Sequence, residues 1–386
     1  MNCPICRHEH YEAVWRHQTG MVNGLCLNCG HVYVAGAGGL DVDSAYDEFG
    51  QSYGDEYLLD PEVPLFAYAQ SRSELLRARQ PNLSAVLEVG TGYGHFLHAL
   101  GSDVFRCGLE PSPIELDFAR QHFSLDFLVQ ASFEQVEGTW PGRALDAVCS
   151  FHVLEHVRDP HAFLAFAKER LSENGILMVA VPELATLNPD LIELYFLRRG
   201  WHLHTFSEAS IRRLFAVNGL EIIDMRMEQR TKMLRSSMLV TAKVSGKKIT
   251  PKPLPDLDSV SAAGIALKRF HTKIDHGLAT LRQHVIEWKA EGSRIAIYGG
   301  GMHTQALFEL AEIDLPAIEC VVDDDPAKAG GMIAGIPCVP FNEMCRRAPD
   351  IVIISTLASE DALLSSLPSK IGPGTRILGV YRDFFS

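Results

Sequence analysis

The feature that most restricts the fold of this chain is the segment Glu88-Val-Gly-Thr-Gly-Tyr-Gly94. It overlaps the end of an apolar, strand-like run, Ala85–Val89, and precedes a helical pattern over residues 95–100. Glycines at such a turn let the backbone bend sharply and approach a ligand closely. The segment therefore predicts a nucleoside-bearing ligand at the end of a strand in an α/β, Rossmann-like fold.

The rest of the chain predicts two α/β domains joined by a linker. Strand-like runs alternate with helical patterns over residues 65–245 and again after residue 291, which is typical of parallel α/β sheets. Residues 246–258 are rich in Pro and Lys and resemble a linker, and a long helix is expected over residues 259–291. We predict a first segment at 1–64, an α/β domain at 65–245, a linker and connecting helix at 246–291, and a second Rossmann-like domain at 292–386.

Size and charge restrict the possible partners. With 386 residues the chain exceeds one ordinary domain, and its net charge of -13 argues against non-specific binding to nucleic acids or anionic membranes. No unbroken apolar run reaches the length of a transmembrane helix, and the first residues do not resemble a signal peptide. We expect a cytoplasmic protein with reduced cysteines. The oligomeric state stays open.

Four cysteines near the N-terminus have the spacing of a metal site. Cys3-x-x-Cys6 and Cys26-x-x-Cys29 are separated by nineteen residues. Two such turns place four thiolates at the corners of a tetrahedron, which suits Zn²⁺. A site closed by four cysteines leaves no open coordination position, so we expect structural zinc in a zinc-ribbon-like subdomain.

The acid at the end of the first strand indicates which ligand the glycine segment binds. S-adenosylmethionine (SAM) carries an ammonium group and a sulfonium charge but no phosphate, so Glu88 suits it better than a pyrophosphate. Glu110 ends the next strand, where a carboxylate can accept both ribose hydroxyls, although it could instead only cap the strand. The other candidate donor-binding residues are Gly90, Thr91, Gly92, Gly94, Pro111, Ser132, Phe133, Phe151 and His152.

Further motifs follow in the order known from one enzyme family. They are Val153-Leu-Glu-His-Val157, Asp159-Pro160 and Leu171-x-x-x-Gly175. Together with Glu88, the three glycines and Glu110, residues 85–182 resemble the class I (Rossmann-like) SAM-dependent methyltransferases. The resemblance implies that Gly90 and Gly92 contact the methionine part of the donor and that Glu110 binds the ribose.

Candidate catalytic residues lie C-terminal to these motifs, and an aromatic series precedes them. Methyl transfer needs an aligned acceptor and a group that removes its proton. His202 and His204 share one side of an extended segment, and Glu183 follows a strand, so all three are candidate bases; the histidines could instead only brace the loop. Tyr46, Tyr53 and Tyr57 could fold over the substrate or simply pack.

A second glycine run opens the C-terminal domain. Tyr298-Gly-Gly-Gly-Met-His303 follows a strand, and Asp323 ends the next strand, where a ribose-binding acid is expected. Tyr298, Gly300, His303 and Asp323 are therefore candidate substrate-binding residues, although a tight turn without a ligand is the alternative.

The three-part arrangement resembles the C-methyltransferases that act on nucleotide-linked deoxysugars. That resemblance implies a nucleotide-linked sugar as substrate and a histidine that removes a proton next to a keto group. In this chain Leu203 stands between the two histidines, where that family has a glutamate. O- or N-methylation of a secondary metabolite therefore stays an alternative. A zinc-ribbon module that binds nucleic acid or protein, with an inactive core, is the alternative of another class.

Overall fold

A computed structural model gives the structure of the chain. It describes residues 2–16, 21–35, 55–136, 141–182, 191–228, 237–247, 249, 254–255, 257–325, 328–357 and 359–385. The chain divides into two compact units, Met1–Thr186 with Gly200–Gly264 and Leu187–Arg199 with Ile265–Ser386. The helix that precedes Gly200 thus groups with the C-terminal unit, whereas the sequence-based boundaries leave it in the 65–245 domain.

Seventeen strands lie within the described residues. They are β1 (Tyr11–Arg16), β2 (Val22–Cys26), β3 (Val32–Ala35), β4 (Ala85–Val89), β5 (Phe105–Leu109), β6 (Phe127–Val129), β7 (Leu145–Phe151), β8 (Leu171–Pro182), β9 (His204–Thr205), β10 (Leu220–Glu228), β11 (Ser237–Val244), β12 (Ile295–Tyr298), β13 (Ile318–Val322), β14 (Met332–Ile333), β15 (Ile336–Val339), β16 (Ile351–Ile354) and β17 (Arg376–Gly379).

The α-helices within the same part of the chain differ widely in length. They are α1 (Asp55–Leu59), α2 (Pro64–Arg79), α3 (His95–Ala99), α4 (Pro113–His122), α5 (Pro160–Arg170), α6 (Leu191–Arg199), α7 (Glu208–Val217), α8 (Leu257–Ala290), α9 (Met302–Leu310), α10 (Phe341–Arg347) and α11 (Glu360–Ser366). The longest of them is α8, with 34 residues. None of the described helices is both long and apolar enough to cross a membrane.

A small antiparallel sheet forms the N-terminal part of the first unit. Its strand order is β1-β2-β3-β9. Arg7 and Gly30 both have positive φ, at 62° and 69°, and their N–H groups donate to the carbonyls of Cys3 and Cys26. Each cysteine pair therefore lies on a tight turn. The sequence patterns did not predict these short strands.

The large sheet of the first unit has the order β10-β11-β8-β7-β4-β5-β6. Strands β4 to β8 are parallel, and all five residues of β4 are buried, as expected for a sheet covered on both faces. The far edge differs from the predicted parallel arrangement, because β11 runs antiparallel to both β8 and β10. All five parallel strands end at the same edge of the sheet, where the glycine segment lies.

The second unit has its own sheet, with the order β14-β15-β13-β12-β16-β17. All its neighbouring strands are parallel except β14 and β15. Buried Ile and Val side chains of β12, β13 and β16 form its core together with α8 residues such as Leu281 and Val285. The glycine run of residues 299–301 follows β12, the central strand of this sheet.

Candidate functional site

The glycine segment after β4 takes a conformation that only glycine adopts easily. Gly90, Gly92 and Gly94 have φ values of 77°, 52° and 85°. The N–H groups of Gly90 and Thr91 donate to the carbonyl of Leu109 at 2.8 and 3.0 Å, which holds the loop against the end of β5. The Thr91 hydroxyl donates to the Glu88 carbonyl at 3.3 Å, inside the loop itself. The loop is therefore preformed without a ligand.

Glu110 is held by the backbone on both sides of its carboxylate. One oxygen accepts the Gly92 N–H and the other accepts the Ser112 N–H, each at 2.8 Å. Its side chain is buried, and this burial raises its pKa to about 7. The same two bonds aim the carboxylate along the end of β5, where the ribose of a nucleoside is bound in Rossmann-like folds.

Two more buried carboxyl groups accompany Glu110. Burial, and then the charge of Glu110, raises the pKa of Glu88 well above its usual range. One oxygen of Glu88 is buried without a hydrogen-bond partner among the described residues. The same two causes raise the pKa of Glu115, on α4, to about 8. Sequence reasoning missed Glu115, which lies within the first turn after the Ser112-Pro113 helix start. A positively charged ligand bound at this loop would favour the ionised forms of these three acids.

A cavity of about 310 Å³ opens beside this loop. Four of the predicted donor-binding residues line it, namely Gly90, Pro111, Ser132 and Phe133. Sequence reasoning did not include others in its wall, among them Ala131, Val153, His156 and Arg158. Phe133 packs edge-on against Phe163 with ring centroids 5.4 Å apart, so it is fixed in place. The structure thus gathers residues from four different loops around one space, and the predicted candidates come from three of them.

Phe151 is the last residue of β7 and His152 follows it, and their surroundings differ. The Phe151 ring packs edge-on against Phe96, at 5.0 Å, and Tyr68, at 6.2 Å. Tyr68, on α2, was not predicted from the sequence; the Arg72 guanidinium lies over its ring at 4.2 Å. His152 has a positive φ of 58° and its N–H donates to Ala180 at 2.9 Å. A non-glycine residue in this conformation marks a constrained turn.

The turn after His152 meets the histidine segment of residues 201–204. The N–H groups of Leu203 and His204 donate to the Glu155 carbonyl at 2.8 and 3.0 Å. The Glu155 carboxylate is buried, and His152 Nδ1 lies 3.4 Å from its Oε1. Although burial opposes it, this contact and the charges of His156 and His202 lower the pKa of Glu155. The structure therefore joins His152, Glu155, His156 and His202 in one group, of which the sequence-based candidates included only the first and last.

His202 and His204 have different surroundings. Both ring nitrogens of His204 are engaged, with His31 Nε2 at 3.1 Å and the Val157 carbonyl at 2.8 Å. Burial lowers the pKa of His204 to about 4, so it stays neutral and joins the small sheet to the large one. The ring of His202 instead packs edge-on against His156 with centroids 4.8 Å apart. Glu183, Tyr46 and Tyr53 lie outside the described residues, as does the side chain of Tyr57.

The four N-terminal cysteines converge as predicted. One sulfur from each lies within 4.8 Å of the others, and the Cys3–Cys29 and Cys6–Cys26 separations are 3.7 and 3.5 Å. Tetrahedral zinc with Zn–S bonds of about 2.3 Å separates its sulfurs by roughly 3.8 Å. The other three sulfurs raise the pKa of the Cys29 thiol, so four thiolates at these distances need a cation. The donor set fits zinc.

The second unit repeats the acid-and-glycine arrangement. Asp323, after β13, accepts the Gly300 N–H at 2.7 Å and pairs with Lys328 at 3.2 Å. The Tyr298 hydroxyl donates to Asp324 at 2.8 Å. His303 is buried, with Nδ1 at 2.9 Å from the Ser355 hydroxyl and Nε2 at 2.6 Å from the Tyr381 hydroxyl. The structure therefore brings Tyr298, Gly300 and Asp323 to one sheet edge, while His303 is engaged with neighbouring side chains of the same unit.

Two family profiles match different parts of this chain. The profile of a methyltransferase domain matches residues 65–225, and that of a C-methyltransferase C-terminal domain matches residues 262–377. The first covers the glycine loop, Glu110 and the Glu155 turn. Together with the sheet order, it confirms the predicted α/β, Rossmann-like core.

Curated relatives match the same core. The mitochondrial ubiquinone biosynthesis O-methyltransferase of Schizosaccharomyces pombe is 31% identical over 102 residues, which are 25% of this chain and 36% of that protein. The enzyme of the same name from Xanthomonas campestris is 34% identical over 137 residues, or 33% of this chain and 54% of that protein. The chain thus spans about half or less of the length of these relatives. Among solved structures, the 1,6-didemethyltoxoflavin-N1-methyltransferase of Burkholderia thailandensis with bound S-adenosylhomocysteine has a TM-score of 0.42 at 17% identity, covering 56% of this chain and 96% of that one.

Proposed function

Because residues 65–225 form a class I SAM-dependent methyltransferase domain, we propose that this chain transfers a methyl group from SAM to a carbon of a nucleotide-linked sugar. The observation that carries the proposal is the match of residues 262–377 to a C-methyltransferase C-terminal domain. It accounts for a second Rossmann-like unit that methyl-donor binding alone does not need.

The residues of the first unit fit the donor. Glu110 accepts the ribose hydroxyls, Gly90 and Gly92 let the backbone approach the methionine part, and Ser132 and Phe133 line the cavity for the adenine. Glu88 and Glu115 lie buried close to the loop, and the positive charge of the donor would favour their ionised, negatively charged forms. When bound, the donor supplies a methyl group that is already activated on a positively charged sulfur.

The acceptor must lose a proton at the carbon next to its keto group. In our proposal His202 accepts that proton, because it lies in one group with the buried Glu155 and with His156, which lines the donor cavity. The electron pair of the broken C–H bond then forms the new carbon–carbon bond with the methyl group, while the bond between methyl and sulfur breaks and its electron pair stays on the sulfur of the leaving S-adenosylhomocysteine. A buried carboxylate beside the histidine, Glu155, stabilises the positive charge that the proton brings.

Structural zinc and a bound nucleotide complete the proposal. Cys3, Cys6, Cys26 and Cys29 hold Zn²⁺, which supports the small N-terminal sheet. Tyr298, Gly300 and Asp323 hold the nucleotide of the acceptor, because an acid that accepts a glycine N–H after the second strand is the arrangement that Glu110 has in the first unit.

Methylation of oxygen is the second candidate. The curated relatives that match the core at 31% and 34% identity are named as O-methyltransferases. In that case the group around Glu155 would take the proton from a hydroxyl, and the C-terminal unit would hold a different small molecule.

The two candidates separate in one experiment. The purified chain is incubated with methyl-labelled SAM and a panel of nucleotide-linked keto-sugars, nucleotide-linked sugars without a keto group, and phenols. Carbon methylation predicts label in the keto-sugars only, and it predicts exchange of the proton next to the keto group in deuterated water. Label in the phenols, without label in any keto-sugar, would contradict the first proposal and support the second.

A further inference from the structure

A group of three metal-ligating side chains lies beside the donor cavity, away from the four cysteines. Glu155, His156 and His202 each offer one ligand atom, and these atoms lie within 4.8 Å of one another. We propose that they bind a divalent transition-metal cation. The inference goes beyond the proposed function, which assigns a cation only to the cysteines, and where the cation is bound His202 serves as its ligand and not as the proton acceptor.

The carboxylate of Glu155 indicates a ligand that is not a protein group. Its side chain is 1% exposed, and its Oε2 atom is buried without a hydrogen-bond partner among the described residues. Its Oε1 lies 3.4 Å from His152 Nδ1. A buried carboxylate oxygen without a partner destabilises the folded chain, because it has lost its hydrogen bonds to water and formed none within the protein. A cation on that oxygen would remove the cost.

His156 is oriented in the way that metal-binding histidines usually are. Its Nδ1 lies 2.7 Å from the Trp201 carbonyl. A carbonyl only accepts, so Nδ1 carries the hydrogen and donates, and in the neutral ring Nε2 carries the lone pair. A histidine that donates one N–H to a backbone carbonyl and binds a metal through the other nitrogen is the common arrangement.

The backbone holds the three ligands together without a cation. Glu155 and His156 lie on the turn after β7, and His202 lies on the segment before β9. The N–H groups of Leu203 and His204 both donate to the Glu155 carbonyl, so the two segments are joined at the site itself. Ligands from two joined segments need little rearrangement, which favours binding.

The ligand set indicates the kind of cation and its use. Two imidazoles and one carboxylate suit Mn²⁺, Fe²⁺, Co²⁺ or Zn²⁺, and three protein ligands leave coordination positions open. His156 also lines the donor cavity. A cation here would therefore bind a keto or hydroxyl oxygen of an acceptor near the methyl donor and polarise it.

Binding of Mn²⁺, followed by electron paramagnetic resonance, tests the proposal on the full chain. Mn²⁺ prefers nitrogen and oxygen ligands, so the four thiolates do not compete for it. We expect one tightly bound Mn²⁺ per chain, and a loss of affinity of about tenfold or more in Glu155→Gln. Glu169→Gln, a matched change at an exposed position on α5, should leave binding unchanged. If Glu155→Gln does not fold, His156→Gln serves in its place.

The outcome distinguishes this inference from the proposed function. Equal Mn²⁺ binding by the wild-type chain and Glu155→Gln, or no binding by either, would overturn the cation site even if keto-sugars were methylated. Tight binding that depends on Glu155 would support the site even if every nucleotide-linked sugar failed as an acceptor. A nitrogen that holds a cation cannot also accept a proton, so metal-dependent turnover would assign His202 to the cation.

Discussion

At Gly90 both the backbone conformation and the neighbouring Val153 leave no room for a residue larger than glycine. Its φ is 77°, and a Cβ atom there would lie 2.3 Å from Val153 Cγ2. A left-handed conformation costs a residue with a side chain about 1–2 kcal/mol, before the clash is counted. We expect Gly90→Ala to push Val153 out of the cavity wall and to weaken S-adenosylhomocysteine binding by about tenfold or more, an effect that isothermal calorimetry measures.

Gly142 provides the matched control. Its φ is 80°, but a Cβ atom there would meet nothing within 4 Å. Gly142→Ala therefore carries the same backbone strain without the clash, and it should bind S-adenosylhomocysteine as the wild-type chain does. Equal affinity in both variants would mean that the loop of residues 90–94 does not contact the donor.

Donor binding should depend on pH through Glu110. Burial raises its pKa to about 7, and only the ionised carboxylate can accept two ribose hydroxyls. Below pH 7 the ligand must first displace a proton, so S-adenosylhomocysteine affinity should rise with pH by up to about tenfold per unit until pH 7 and then level off. Calorimetry between pH 5.5 and pH 8, restricted to pH values at which the chain stays folded, would follow that rise in affinity.

The raised pKa of Glu110 also affects stability, which should fall with pH where the affinity rises. The folded chain keeps a proton on Glu110 that the unfolded chain has released above its ordinary pKa of 4.5. The contribution of Glu110 to the free energy of unfolding therefore falls as pH rises from 4.5 to about 7. Glu110→Gln should lose the rise in affinity and its own part of the fall in stability, while Glu169→Gln, at an exposed position on α5, should keep both. A Glu110→Gln chain with the wild-type pH dependence would contradict this account.

Strand pairing ties the small N-terminal sheet to the segment that carries His202. Strand β3 pairs with β9 through Val32–Thr205 and Tyr33–His204, and His31 contacts His204 at 3.1 Å. If zinc holds the cysteines, removing one ligand should loosen this edge and displace His202. We expect Cys26→Ser to lose zinc and to lower turnover by about a hundredfold, as small misplacements of a catalytic group do.

Donor affinity separates this effect from general unfolding. Gly90 and Glu110 belong to the large sheet, so Cys26→Ser should bind S-adenosylhomocysteine with nearly wild-type affinity. Zinc content by mass spectrometry, turnover and calorimetry are measured on the same sample. Cys345→Ser, a half-buried cysteine on α10, is the control and should change none of them. Full turnover in a zinc-free Cys26→Ser chain would show that the small sheet does not position His202.

The elements that were predictable from the sequence are those with a strong local pattern. Strands β4 to β8 are apolar runs that alternate with helical patterns, and Ser207 caps α7 by accepting the Ser210 N–H. The short strands β1 to β3 were missed because they are only four to six residues long and lie beside the cysteine turns. The antiparallel β11 was missed because chain direction within a sheet leaves no local pattern.

The residues of the candidate site were predictable only where they belong to one continuous sequence motif. Gly90 and Glu110 stand in motifs, whereas Glu115 and Glu155 acquire their importance from burial beside residues distant in the chain. Glu155 lies within the Leu-Glu-His motif, yet its contact with the histidine segment of residues 201–204 depends on how two loops meet. A single sequence does not show which residues from distant segments lie close together in the folded chain.

At the scale of the whole molecule, two units contain the same acid-and-glycine device. Glu110 accepts the Gly92 N–H at 2.8 Å, and Asp323 accepts the Gly300 N–H at 2.7 Å. In the proposed function the first acid serves the donor and the second serves the nucleotide of the acceptor. The two should therefore be separable by single substitutions.

Asp323→Asn tests that division. It removes a charge-assisted hydrogen bond to a ribose, which is worth about 1.5–3 kcal/mol, so the KM of a nucleotide-linked acceptor should rise by about tenfold or more. Donor affinity should not change, because Glu110 and its loop are intact. Asp361→Asn, at an exposed position on α11 of the same unit, should alter neither value. A rise in KM for Asp323→Asn that is matched by a loss of S-adenosylhomocysteine affinity would mean that the second unit supports the fold of the donor site, and the assignment of the acceptor nucleotide to Asp323 would fail.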